Sequence, residues 1–439
     1  MKQLIRQAAV LIRQNPLFSV VSIVGTALTI AFVTVVVMIY DFRTSDIAPE
    51  NCRSRLLYAD AGQTSRPDGT NVNTGMGRVA YEALFSGLPG VEEHTWYAAM
   101  GKSVCSLPAS SERFSLLVRP VAANWFDFFQ YEFIAGRPFT QEEYDMGRSA
   151  YTESRSEFHE KEAVNNPAYR MVVLTERVAG RLFGSAEAAV GQVFWVDFHP
   201  STVVGVVRDV SSIFQTAYAD AFQPFSLCLE ENVQYWTAGL GGIRRAVLRM
   251  APDASVAAIR QEVERRQQQL NQSGLEYRFT LNRLYTHTEY TFFRGSAIDA
   301  RLVYLLLVVA LLVVPAISIS GLMSAQMQGR LSEIAIRKAY GASNFSILSR
   351  LFSEGLLTTL LGGVAGYFLS CLLVWWGRVW LFGSGGTELE GITLDGHLLM
   401  RPSLCLAVLL ACLLFNLLSM LLPACLAIRR SISGTLMGE

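Results

Sequence analysis

Few side chains in this 439-residue chain stand at spacings that do covalent chemistry. Gly101-Lys102-Ser103 has the form of the end of a phosphate-binding loop. Such a loop needs an earlier glycine at position 96, so that its backbone can curl around phosphate, and that position is Trp96. No dinucleotide fingerprint follows a strand, and Gly383-Ser384-Gly385-Gly386 reads as a flexible turn. No nucleophile elbow, H-E-x-x-H motif or patterned carboxylate pair occurs. His94, His159, His199, His287 and His397 are isolated in sequence, which leaves a cluster in space open. Glu153, Glu157, His159, Glu160 and Glu162 crowd the polar stretch 141–168. None of them pairs at a ligand spacing, so the stretch reads as a solvated insertion with some helix rather than a metal site. The segment that speaks most clearly runs from Arg330 to Ser343. Glu333 and Arg337 form an i,i+4 pair of favourable polarity, with Arg330 one turn earlier. Leu331, Ile334 and Lys338 lie on another face, and Gly341 can end the helix.

The elements that must position this helix are membrane spans. Apolar residues make up 51% of the chain and charged residues only 17%, against about 25% charged in soluble domains. Four stretches have the roughly 20 apolar residues that a bilayer core requires: about Leu17–Tyr40, Leu302–Met323, Phe352–Trp376 and Leu404–Leu426. The first is too long for a signal-peptide core, and Asp41-Phe42-Arg43-Thr44 offers no cleavage site. Lys2, Arg6 and Arg13 precede it; Arg330, Arg337, Lys338 and Arg350 lie between spans two and three; Arg429 and Arg430 follow span four. The bias of basic residues predicts both termini inside and residues 43–300 outside. Residues 1–16 read as a basic amphipathic helix on the inner membrane face. Inside the membrane, Gly362 and Gly366 form a small-residue pair, and Gly25 with Ser22 and Thr29 gives span one a small stripe. The pattern leaves open whether these pack within one chain or between two.

The outside region mixes strand-like and helix-like patterns. Strands are expected at Arg55–Ala59, Tyr169–Leu174, Val193–Val196, Thr202–Val207 and Phe279–Leu284, and helices at Val79–Leu88, Glu176–Phe183 and Ser255–Leu270. Four cysteines (Cys371, Cys405, Cys412 and Cys425) fall in apolar runs, and Cys52, Cys105 and Cys228 can form at most one bridge.

Glu333 to Ser343 resembles the "EIAIRKALGAS" stretch of the MacB/FtsX-type ABC permease family. Further likenesses follow in family order. Asn15-Pro16-Leu17-Phe18-Ser19 resembles the entry to the first span. Leu88-Pro89-Gly90-Val91-Glu92 is similar to an early motif of the MacB-like periplasmic core. Ala123 to Phe129, followed by Ala135-Gly136-Arg137-Pro138-Phe139, resembles its "GRpF" region. Leu174-Thr175-Glu176 through Gly184 and Val203-Val204-Gly205-Val206-Val207 resemble later core motifs. Glu354 through Gly366 resembles the third span, and Leu422-Pro423-Ala424 the closing "lPA". The tail Ile432 to Leu436 matches the family ending only loosely.

The resemblance implies four transmembrane α-helices plus a large extracytoplasmic mixed α/β domain inserted between helices one and two. In these terms residues 1–16 are a cytoplasmic helix, 17–40 helix one and 41–300 the periplasmic core. Residues 301–323 are helix two, 324–350 the coupling loop, 351–376 helix three, 377–403 a short periplasmic loop, 404–426 helix four and 427–439 the tail. It implies a bacterial inner-membrane permease, not itself an enzyme. ATP and magnesium would be bound by a separate cytoplasmic ATPase, and this chain binds no cofactor. Arg330, Glu333, Ile334, Ile336, Arg337, Lys338 and Gly341 would dock that ATPase, while Gly25, Gly362 and Gly366 pack helices. A second permease, identical or paralogous, is implied beside the lipid bilayer, and a periplasmic adaptor or outer-membrane partner stays open. Zero net charge points away from nucleic acid. The mode of action implied is mechanotransmission: ATP-driven movement passes through the spans to the outside domain and serves export or extraction of a lipoprotein, peptide or hydrophobic drug. The alternatives are an FtsX-like regulator of a cell-wall hydrolase and a membrane-anchored extracellular enzyme.

Overall fold

The computed structural model describes residues 16–108, 111–145, 170–212, 214–224, 239–293 and 343–382. It also describes 302–303, 305–313, 340–341, 406–414 and the single positions 317, 336, 403 and 418. The amphipathic helix expected at 1–16, most of the insertion at 141–168, the loop at 377–403 and the tail lie largely or wholly outside them. Two compact units result. One holds the chain up to Phe42 and the helical segments beyond residue 301, and the other begins at Arg43.

Pro16 opens α1 (Pro16–Thr44), a position where the missing N–H of proline costs nothing. The expected span ended at Tyr40. The helix continues through Asp41, Phe42 and Arg43 to Thr44 because no glycine or proline interrupts it.

Beyond α1, the chain lays down β1 (Leu56–Ala59), β2 (Gly62–Ser65), β3 (Asn71–Met76), α2 (Arg78–Phe85) and β4 (Val91–Tyr97). An inserted run follows: β5 (Gly101–Ser106), β6 (Arg113–Val121), α3 (Trp125–Phe129), β7 (Phe133–Gly136), β8 (Met171–Thr175), α4 (Glu176–Phe183), α5 (Ala186–Ala189), β9 (Val193–Val196), β10 (His199–Val207) and β11 (Ala221–Pro224). The chain then returns with β12 (Gly241–Gly242), β13 (Arg245–Met250), α6 (Val256–Gln272), β14 (Arg278–Leu281), β15 (Leu284–Thr286) and α7 (His287–Phe293).

The inserted run closes on itself. Pairing passes from β6 through β5, β9, β10, β8 and β11, and β11 returns to β6 with Ala221 opposite Val118. Closure leaves no strand edge in this ring to recruit another chain. One apolar cluster fills it, with Cys105, Leu116, Phe194 and Val203 fully buried, and Val178 and Ala179 of α4 packed in. A polar pin crosses the seam. Arg177 Nη2 reaches Asp220 Oδ1 at 2.6 Å, while Asp220 Oδ2 accepts the N–H of Leu117 on β6 at 2.9 Å.

The other lobe sets β4, β13, β1 and β15 beside a smaller sheet ordered β12-β3-β2-β14. Between them α2 and α6 bury Leu84, Phe85, Ile259 and Val263 with Phe279 and Leu248. The expected single strand Phe279–Leu284 is two strands in different sheets. β14 follows β2 and β15 follows β1, so the chain must break at Asn282-Arg283 wherever Asp60-Ala61 steps between the sheets. The outer edge of β14 is covered by side chains: Asn271 both donates to Phe279 O and accepts from Phe279 N–H, each at 2.9 Å. Gln267 Oε1 accepts from Leu281 N–H. The amide groups thereby replace a missing neighbour strand.

In the first unit, α8 (Asn344–Phe382) is one helix of 39 residues. At 1.5 Å per residue it is roughly 58 Å long, nearly twice the hydrocarbon thickness of about 30 Å. It absorbs Asn344–Arg350, which were expected in the loop. Among the described residues, Ile23–Thr44 and Thr359–Gly377 are long and apolar enough to cross a membrane. The segments 305–313 and 406–414 are helical.

Candidate functional site

Three places stand out among the described residues. The first is the turn before α8. Ile336 is helical, and the N–H of Tyr340 donates to Ile336 O at 3.0 Å, four residues back. Gly341 follows with φ +84°, the left-handed stop that glycine adopts without strain. Ile336 is 50% and Tyr340 90% exposed. Arg330, Glu333, Ile334, Arg337 and Lys338 lie outside the described residues.

The second is the seam between α1 and α8. A Cβ on Gly362 would lie 2.8 Å from Thr26 Cβ, and one on Gly366 would lie 2.7 Å from the carbonyl oxygen of Ala27. Backbone meets backbone here, as small residues allow in a medium that provides no hydrophobic drive between helices. On the same side, a Cβ on Gly363 would meet Leu409 at 2.7 Å. Ile30 and Val33 of α1 pack with Val408, Cys412, Leu311 and Leu312. Span one therefore packs against α8 and against the described segments 305–313 and 406–414. Gly25 is different: nothing among the described residues lies within 4 Å of its Cβ position. Its carbonyl accepts a bond from Thr29 Oγ1 at 2.8 Å.

The third is the end of α1, which sequence reading missed. The last carbonyls of a helix need partners, and no glycine follows Thr44 to supply a terminating turn. Side chains of the α/β domain supply them instead. His287 Nε2 lies 2.9 Å from Arg43 O, and Arg53 Nη1 donates to Ser45 O at 3.1 Å. A carbonyl only accepts, so Nε2 carries the hydrogen, and Nδ1 accepts from the hydroxyl of Tyr58 on β1 at 3.0 Å. Tyr58 stacks on Tyr290 with ring centroids 4.4 Å apart, and Tyr290 OH reaches Tyr97 OH at 3.0 Å. Arg53 is held from three sides: Glu50 Oε2 at 2.7 Å, the Ser45 carbonyl, and the ring of Phe214, 4.2 Å beneath the guanidinium.

Burial pushes His287 below its ordinary value of 6.5; the nearby Arg53 charge adds to this, and Glu50 opposes it. Burial likewise holds the Tyr58 hydroxyl well above its usual range. α7 is fixed at its start by a reciprocal cap. Glu289 Oε2 accepts Thr286 N–H at 2.8 Å, and Thr286 Oγ1 accepts Glu289 N–H. Burial raises Glu289, but the Thr286 bonds and the Arg260 and Arg283 charges outweigh it and hold the carboxyl below its usual range. The pattern Thr286-x-x-Glu289 was a legible signal for this helix start. The bonds of His287 had none, since their partners lie at positions 43 and 58.

Gly101-Lys102-Ser103 opens strand β5, so it forms no phosphate cradle at a helix start. Cys52 and Cys105 are unbridged, and Cys228 lies outside the described residues. Among the described residues no three His, Cys, Asp or Glu side chains gather as a metal site.

A long apolar helix leads into a large mixed α/β domain, and a second apolar helix follows it. Residues 19–266 match the model described as MacB-like periplasmic core domain, and residues 305–432 match FtsX-like permease C-terminal. The first match alone spans more than half of the chain, which therefore belongs to the MacB/FtsX permease family. The macrolide export ATP-binding/permease protein MacB of Bordetella avium is 29% identical over 205 residues, 45% of this chain and 29% of that protein. MacB 1 of Aeromonas hydrophila is 29% identical over 208 residues, 46% of this chain and 30% of that protein. The matched stretch thus spans under a third of these relatives' length. The periplasmic region of MacB from Actinobacillus actinomycetemcomitans covers 56% of this chain and 96% of its own, at 13% identity and a TM-score of 0.35.

Proposed function

We propose that this chain is the transmembrane subunit of an ABC transporter of the mechanotransmission type. A separate cytoplasmic ATPase, binding ATP and magnesium, moves the helix at Arg330–Gly341. The spans pass that motion to the periplasmic domain, which exports or extracts a lipoprotein, a peptide or a hydrophobic compound. The chain crosses the inner membrane four times with both termini inside, and works beside a second permease. The observation that carries this reading is the order of the two family matches on one chain, core domain first and FtsX-like segment second. The continuous run of α1 into the domain supports it. So does the packing of α1 against α8 and against the segments 305–313 and 406–414.

The test is deletion of the chain together with reconstitution. Loss of efflux or lipoprotein release, and ATPase activity that depends on the permease in proteoliposomes, is the expected result. A defect in cell separation with normal transport would select the FtsX-like regulatory role instead. Failure to co-purify with any ATPase would overturn the reading.

A further inference from the structure

We infer that His287 is a positioning residue that ties the last residues of α1 at Arg43 to strand β1, and that protonating its ring breaks the Tyr58 half of the tie. The inference deepens the permease reading and rests on it for its consequence, while its geometry stands apart. One imidazole bridges two elements far apart in sequence: Nε2–H to Arg43 O and Nδ1 to Tyr58 OH. β1 is no loose acceptor. It lies between β13 and β15, and Tyr58 is fully buried and stacked on Tyr290 of the same helix that carries His287. A pull on Arg43 therefore reaches β1, a strand paired on both sides, through a single ring.

Only the bond with Tyr58 requires the neutral ring: Nε2–H donates to Arg43 O in either state, whereas Nδ1 accepts from Tyr58 only when it carries no proton. A second proton would put a donor on Nδ1 facing Tyr58, which must then give up its own donation. The charged and titratable groups around the ring are Arg43 and Asp46 at the end of α1, Glu50 and Arg53 on the following turn, Tyr58 on β1 and Tyr290 on α7. Glu50 is already committed to Arg53 through Oε2, so it is no dedicated partner for an imidazolium. With the folded value below 6.5, the unfolded ring binds protons first. The stabilisation is complete above 6.5 and is lost as pH falls from there toward the folded value. Acidification therefore loosens the tie at Tyr58.

Hydrogen exchange of the full chain in lipid nanodiscs tests this with His287→Ala, His287→Gln and Tyr58→Phe, read on peptides covering residues 38–46. Loss of one buried hydrogen bond predicts exchange about fivefold faster there in the Ala and Phe variants. His287→Gln, which keeps an N–H donor and cannot titrate, restores most of the protection. Wild type shows the same loosening, corrected for intrinsic rates, between about pH 7.5 and about pH 5.5, and His287→Gln does not. Unchanged exchange in His287→Ala and Tyr58→Phe, or a pH response that persists in His287→Gln, overturns the inference. These readouts need no ATPase. A chain that binds none would overturn the function proposed above and leave the tie to be judged by exchange.

Discussion

Arg53 Nε lies 2.7 Å from Glu50 Oε2, with both side chains 1% exposed. Two charges taken this far from water are stabilising only while each has the other. Glu50 Oε1 has no further partner, so nothing is in reserve. Arg53→Met leaves a buried carboxylate uncompensated and removes the Nη1 bond to the Ser45 carbonyl. The expected cost is about 3–5 kcal/mol, read as a lowered urea midpoint of the full chain in detergent. The double variant Glu50→Gln with Arg53→Met is expected to lose less than the single Arg53→Met.

At the α1–α8 seam, Gly366→Val places a side chain where the Ala27 carbonyl and Ile30 already stand, at 2.7 and 3.0 Å from its first carbon. Overpacking of this kind costs about 1–3 kcal/mol. The detergent-solubilised chain should melt earlier, while Gly25→Ala, in open space among the described residues, should not. Equal melting of both variants would refute the seam.

The pin between Arg177 and Asp220 makes an asymmetric prediction. Asp220 is 0% exposed, and burial raises it above the usual carboxylate value against the Leu117 bond and the Arg177 charge. Arg177→Met strands that carboxylate and should destabilise by about 3 kcal/mol or more, whereas Asp220→Asn keeps an acceptor for Leu117 and should cost less. With the folded value raised, the native state binds the proton first. Wild type should therefore gain stability relative to Asp220→Asn as pH falls through the folded value toward 3.8. Denaturant titrations of both proteins across this window check the sign.

The proposed coupling role of Arg330–Gly341 is tested by charge reversal. Glu333→Lys with Arg337→Glu should uncouple ATPase activity from function and leave the chain inserted. Tyr340→Ala, which removes a ring 90% exposed at the end of that helix, should weaken co-purification with the ATPase by about tenfold if the ring is a buried anchor of the interface. Unchanged stimulation and co-purification in both would remove this segment from the interface.

The sequence by itself determined what depends on local pattern. The uninterrupted apolar runs in α1 and α8 are long enough to cross a membrane, whatever surrounds them. Alternation and flanking turns marked β9, β10 and α4, and the helix α6 was legible from Pro252-Asp253 and its apolar spacing. Gly341 carried its own stop signal, because only the local backbone decides where a left-handed residue is needed. Tertiary structure alone decided which pieces meet. The ring of β5, β6, β8, β9, β10 and β11 closes by pairing Ala221 with Val118, a choice set by the shared core rather than by either strand. Phe279–Leu284 reads as one strand, yet splits because its two halves follow neighbours in different sheets. Gly362 and Gly366 announced a close approach but not its partner, which the packing assigns to Thr26 and Ala27. Above all, His287 was one isolated histidine among five. A buried hydrogen bond is fixed by which carbonyl and which hydroxyl the fold delivers to the ring, and no spacing along the chain encodes the meeting of residues 43, 58 and 287.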